Sequence, residues 1–277
     1  MSPRSSYGTS RSFGTSRSSG GSRIIIAIVL AVFALISYLS SQDYNEVTGE
    51  TQYINLTQDQ EIALGLQSAP EMISEFGGIS RDVNAQSLVQ EVGNALVRNS
   101  VAANTNWRFS FTLLEDDTTV NAFALPGGPV FITEALYSAL ETEDQLAGVL
   151  GHEIGHVLAR HSAARIAQSE LTNGLIGAVL VAGGDSGAAT AQMVGQMITM
   201  KFGRDDELQS DRLGVCIMAD AGYNPEEMVR VMEILEQASG GARAPEFAST
   251  HPSPENRISQ IQNMIANIDQ CPGRNSQ

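Results

Sequence analysis

His152-Glu153-Ile154-Gly155-His156 constrains this chain more than any other stretch, because the pattern makes chemical sense only on a helix. Histidines four residues apart lie on one helical face, so both imidazoles can reach a single ion. Glu153 then projects beside them, toward a water held at that ion. The flanking sequence supplies the helix. Thr142-Glu143-Asp144-Gln145 is a capping-box pattern and no proline follows it, so a helix is expected from there to about Ala167. A chance HExxH on an unrelated helix is the bland alternative, and the rest of the chain has to decide against it.

A catalytic zinc takes three protein ligands and keeps one position open, so a third ligand is needed. His161 is five residues beyond His156, and on a continuous helix that places it about 140° away from the ligand face. It is expected at the surface or behind the ligands rather than on the ion. Glu207 and Asp211 are better placed, four apart on a second helical segment. Glu207 could complete a His/His/Glu set, and Asp211 could accept the second N–H of a ligand histidine and fix its tautomer. Two acids at this spacing are also what a solvated helix face carries, so the pair gains weight only beside the HEIGH helix.

The amino terminus implies a membrane. Residues 1–23 hold Arg4, Arg11, Arg17 and Arg23 with no acid, plus nine serines, a composition that cannot bury a core and is expected to be disordered. From Ile24 to Leu39 there is no charge, and with its uncharged neighbours the 24–42 segment approaches spanning length. A cleaved signal peptide or an organelle-targeting sequence has a similar shape. The positive-inside rule puts the arginine-rich tail in the cytoplasm and the remainder across the membrane, periplasmic or otherwise extracytoplasmic, with the mitochondrial inner membrane as the organellar alternative. The chain carries a net charge of −15, of which +4 lies in the tail, so its bulk would repel phosphates and no nucleic-acid partner is expected. Cys216 and Cys271 allow one disulfide and form no CxxC metal pair.

The expected organisation is a disordered tail (1–23), a transmembrane anchor (24–42), a linker (43–56), a folded domain (57–270) and a short tail (271–277). The domain opens with a helix capped by Thr57 and Gln60, followed by another near 85–99. WRFSFTLL at 107–114 alternates with period two, and VNAFAL and PVFIT flank a Pro-Gly-Gly turn, which reads as a small antiparallel sheet. Helices follow from about Asp205 to Ala221, after Asn224-Pro225, and from Ser253-Pro254 to about Ile268. The apolar, glycine-rich 174–184 stretch reads as a buried or site-covering helix, with membrane contact as the alternative. The fold class is α+β: a mainly helical zincin-type domain with a small antiparallel sheet, preceded by one transmembrane helix.

Taken together, TQDQEIALG at 57–65, NAFALPGG at 121–128, GHEIGHVLARHSA at 151–163, RDDELQSD at 204–211 and THPSPENRI at 250–258 resemble the M48 zinc metallopeptidases. They follow in that family's order and span roughly the last 220 residues. One amino-terminal apolar segment and a short carboxyl-terminal tail suit its short, single-domain, membrane-anchored bacterial members. The resemblance implies one zinc ion per chain on His152, His156 and Glu207, Glu153 as general base, and Asp211 supporting a ligand from behind. It implies that His251 approaches the zinc region, to stabilise an oxyanion or to block the metal. It also implies that Asn121, Ala122 and Phe123 lie on an edge strand where an extended substrate could pair, although an ordinary core hairpin would read the same. Protein or peptide substrates follow, with a role in envelope protein quality control. A membrane-tethered chaperone or assembly factor with a latent zinc site is the alternative from another class.

Overall fold

The computed structural model describes residues 20–183, 203–239, 246–251 and 256–272. An apolar helix, α1 (Gly20–Leu39), leads into a hairpin of β1 (Gln42–Asn45) and β2 (Glu50–Tyr53). Then come α2 (Gln58–Glu75), α3 (Val83–Arg98), β3 (Ser110–Leu114), β4 (Ala122–Ala124), β5 (Pro129–Thr133), α4 (Glu134–Ala139), α5 (Glu143–Leu158) and α6 (His161–Gly183). The remaining helices are α7 (Arg204–Asp220), α8 (Glu227–Ser239), α9 (Glu246–Thr250) and α10 (Arg257–Ala266). The HEIGH motif lies on α5, and Glu207 and Asp211 lie on α7. Among the described residues α1 is the one helix long and apolar enough to cross a membrane.

Local signals place most of the helix starts. Thr57 caps α2 through a capping box with Gln60, Asp82 caps α3, and Thr142 accepts from the Gln145 amide at the head of α5. Gly222, in the left-handed region at φ 86°, follows the end of α7. The three-stranded sheet runs β3-β5-β4. The β4–β5 pair around the Pro-Gly-Gly turn is antiparallel, whereas β3 joins β5 in parallel, because the chain crosses back between them. β4 is therefore an edge strand. Residues 43–56, expected as a linker, contain the hairpin, whose Asn45 and Gln52 amides donate to the carbonyls of Leu158 and Ala159 (2.9 and 2.6 Å).

Two helical expectations change. The helix from Thr142 does not reach Ala167; α5 stops at Leu158, and Arg160 turns the chain with φ 56°. Arginine in that region is uncommon, and here its side chain holds the turn. The guanidinium donates to Glu61 (2.7 Å), to the Leu56 carbonyl (2.8 Å) and to Asp43. The 174–184 stretch does not cover the site either. Its described part continues α6, which packs along α1 with Gly174 close to Ala34, while Leu175 and Ile176 remain exposed. Residues 184–202 and the Ser253-Pro254 helix start lie outside the described residues.

Every residue of α5 from Gln145 to Leu158 is buried, against α3, α7, α8 and the sheet. Its tightest neighbour is α7, and small residues allow the approach. A Cβ built on Gly155 would lie 2.8 Å from the Ser210 carbonyl oxygen, and one on Gly214 would lie 3.1 Å from the His152 amide nitrogen. The glycine inside HEIGH thus sets how near Glu207 can come to the two histidines. Gly155→Ala is expected to cost about 2 kcal/mol through overpacking, a fall of about 4–8 °C in melting temperature. It should also weaken metal binding, because α7 must retreat. Thermal unfolding with and without metal checks both; a melting temperature equal to the parent's would contradict the tight crossing.

Candidate metal centre

Two helices and one short helical turn bring the polar groups together. His152 and His156 project from one face of α5, and their Nε2 atoms lie 3.0 Å apart. Two ring nitrogens that close share a proton or a cation. Glu207 enters from the first turn of α7, where the helix dipole favours a carboxylate. Its oxygens lie 3.5 Å from Nε2 of each histidine. His251, following α9, places Nδ1 3.3 Å from His152 Nε2 and 3.1 Å from Glu207 Oε1. The ligand atoms of His152, His156, Glu207 and His251 all fall within 4.8 Å of one another, and all four side chains are buried.

Glu153 lies alongside, fully buried, with Oε1 3.7 Å from His251 Nε2. Neither of its carboxylate oxygens makes a hydrogen bond among the described residues. Asp211, one turn beyond Glu207, accepts at 2.9 Å from His152 Nδ1. Ser210 donates to the His152 carbonyl and further ties α7 to α5. Of the residues expected on the edge strand, Asn121 directly precedes β4 and Ala122 and Phe123 lie on it; Asn121 and Ala122 are buried and Phe123 is half-buried, stacked on Phe131 and near Phe76. β4 also packs against α5.

Arg257 has no role legible in the sequence around it. Its guanidinium reaches the site from the first turn of α10, almost wholly buried, with two bonds to Asp211 (2.7 and 2.8 Å) and Nη1 3.3 Å from Glu207. Arginine is otherwise rarely buried, and a forked pair with a carboxylate is the usual reason. The only sequence signal was its place at the end of the THPSPENRI segment.

Electrostatics make a divalent cation fit. With the histidines neutral, as metal ligands must be, and the carboxylates ionised, Glu153, Glu207 and Asp211 set three buried negative charges against one guanidinium, an excess of two that a divalent ion would cancel. Ionised groups seldom remain buried without such compensation. Burial opposes the charge on His152, but its bonds to Asp211 and Glu207 outweigh that and raise its pKa to about 9. Burial and the neighbouring His152 push His156 well down, toward the neutral form a ligand requires. Burial raises Glu153. Glu207 is held far below the carboxylate range, with burial overcome by His251 and the other histidines. Asp211 is lowered too, with burial overcome chiefly by Arg257. Nitrogen and carboxylate oxygen from two histidines and a glutamate form a donor set that suits zinc.

His161 is where the helix break matters. It sits not 140° around a continuous helix but at the start of α6, turned back on α5, with Nδ1 2.8 Å from His156 Nδ1. Its Nε2 lies 2.9 Å from Gln209 Oε1. The two cysteines, whose state the sequence left open, are joined as Cys216–Cys271, fastening α7 to the chain beyond α10.

Residues 84–265 match the model for peptidase family M48. The Beta-barrel assembly-enhancing protease of Yersinia pestis is 30% identical over 250 residues, which cover 86% of this chain and 51% of that protein. Its Escherichia coli K12 counterpart is 30% identical over 210 residues, 72% of this chain and 43% of the relative. The Mitochondrial metalloendopeptidase OMA1 of Schizosaccharomyces pombe is 28% identical over 231 residues, 82% of this chain and 68% of that protein. The chain thus spans about half the length of the bacterial relatives it matches.

Proposed function

The chain belongs to peptidase family M48, and from that premise we propose that it is a zinc-dependent endopeptidase acting on extended or misfolded protein segments. The carrying observation is the convergence of His152, His156 and Glu207 beside a buried Glu153 whose oxygens make no hydrogen bond among the described residues. His152, His156 and Glu207 would hold the ion. When bound, zinc supplies an electrophile that polarises a peptide carbonyl and makes water acidic, with a pKa near about 7. Glu153 accepts the proton of the attacking water at one of its carboxylate oxygens and returns it to the leaving amine. Arg257 and Asp211 keep His152 in the tautomer whose Nε2 faces the ion. An extended substrate adds along the outer edge of β4 in the sheet, through backbone pairing at Asn121, Ala122 and Phe123.

The relatives' names, a β-barrel assembly-enhancing protease and a mitochondrial metalloendopeptidase, support a role in envelope protein quality control. α1 serves as a single-pass anchor with the basic tail in the cytoplasm. The Cys216–Cys271 disulfide agrees with an oxidising compartment for the folded part.

His251 favours a second, compatible reading. Its Nδ1 belongs to the four-donor set, so it would fill the position that a catalytic zinc keeps open. The site is then latent until His251 withdraws, after which it stands ready beside Glu153 to bind a developing oxyanion.

Metal analysis of the full chain, with cleavage of an unfolded protein, tests the reading. One zinc per chain is expected, cleavage should stop on chelation and return with zinc, and His156→Ala should lose the metal. Cleavage surviving complete metal removal would overturn it. Bound zinc without cleavage, released by His251→Ala, would establish the latent form.

A further inference from the structure

Resting on this metal-site reading, we propose that His161 and Gln209 form an uncharged hydrogen-bond relay that dictates which nitrogen of His156 faces the metal. His156 Nε2 points into the donor cluster, 3.0 Å from His152 Nε2, while its Nδ1 points the other way, 2.8 Å from His161 Nδ1. A neutral imidazole that ligates through Nε2 carries its proton on Nδ1. His156 therefore donates and His161 accepts at Nδ1. His161, accepting there, must carry its own proton on Nε2, and 2.9 Å beyond lies the amide oxygen of Gln209, which can only accept. With its amide oxygen toward His161, Gln209 matches the direction that both bonds require. Among the described residues the carboxylate oxygen nearest to His161 Nε2 is Asp206 Oδ1, at 3.9 Å, and the other oxygen of Asp206 is held by Arg165 (2.7 Å).

The chain builds this relay from features with no other evident reason to coincide. The Arg160 turn brings His161 back onto α5, and Gln209 sits on α7 between Glu207 and Asp211. The two metal-facing histidines are consequently backed in different ways. His152 leans on a carboxylate that is itself paired with Arg257, and His156 leans on a neutral chain. A charged partner behind each histidine would add a fourth buried carboxylate and upset the balance with a divalent ion. His161 and Gln209 are positioning residues, acting on the metal through His156.

Zinc affinity of the full chain in detergent, measured by chelator competition, tests this without reference to cleavage. His161→Phe keeps a ring but offers no acceptor, and is expected to bind zinc about 10–100-fold more weakly. Gln209→Leu should weaken binding in the same direction. His161→Asn, whose Oδ1 can stand in for Nδ1, should recover most of the loss. Nitrogen-15 spectra of the histidines should show the His156 proton on Nδ1 in the parent and in His161→Asn, with that signature lost in His161→Phe. A packing role alone would lower the melting temperature of the metal-free protein equally in the Phe and Asn variants and leave zinc affinity unchanged. Zinc held as tightly by His161→Phe as by the parent overturns the relay and leaves the peptidase reading standing. A parent that binds no zinc overturns both.

Discussion

Glu153→Gln is expected to leave zinc content and fold intact while lowering cleavage of an unfolded protein by about 10²–10⁴-fold, the range a positioned general base contributes. Glutamine has nearly the same shape and size, so α5 need not move. It also removes a buried carboxylate that burial already disfavours in its charged form, so the melting temperature should stay level or rise slightly. What glutamine cannot do is take a proton from water. Single-turnover cleavage alongside metal analysis and thermal unfolding separates these outcomes. Parent-like turnover in the variant would remove Glu153 from the reaction. Loss of zinc or of fold would give it a structural role instead.

Arg257→Met should be the most damaging substitution to the fold itself. It leaves Asp211 and Glu207 buried without the guanidinium that now lies 2.7 to 3.3 Å from them. Breaking a buried pair from one side typically costs about 3–5 kcal/mol, because the stranded charge is worse than the lost bond. At about 2–4 °C per kcal/mol for a domain of this size, the melting temperature should fall by about 6–20 °C. Adding Asp211→Asn to the same chain should recover part of the loss by removing one stranded carboxylate. Thermal unfolding of the two variants measures this, and a melting temperature within about 2 °C of the parent would show that Arg257 does not compensate the site.

The parts of the site legible beforehand were those whose geometry is local. A spacing of four on a helix is enough to put His152 beside His156, and Glu207 in line with Asp211, and the structure brings these residues together. The capping boxes at Thr57 and Thr142 are local too, and both helices begin where those patterns stand. What could not be read depended on partners distant in the chain. The break after α5 is made by an arginine without help from glycine or proline, and is held by Asp43, Leu56 and Glu61, about a hundred residues earlier. Without it, His161 could be placed behind the ligands but not against the ring of His156. The hairpin at 42–53 is polar enough to pass for a tether, and only its bonds to Leu158 and Ala159 show that it is packed. Arg257 looks like any surface arginine until Asp211 is found beneath it. The parallel pairing of β3 with β5 likewise depends on a crossover that residue alternation does not encode.

The hairpin that grips the end of α5 also limits how far this molecule can act. A free stretch of fourteen residues would wander over about 20 Å and let the domain graze a broad zone above its attachment. Here that slack has been taken up. Asp43, Asn45 and Gln52, all in the hairpin that follows α1, are fastened to Arg160, Leu158 and Ala159, immediately behind the helix that carries His152 and His156. In a bilayer the chain would behave less like a tool on a leash than like one bolted to the deck, with a fixed working height and a bias toward whatever emerges at the surface beside it.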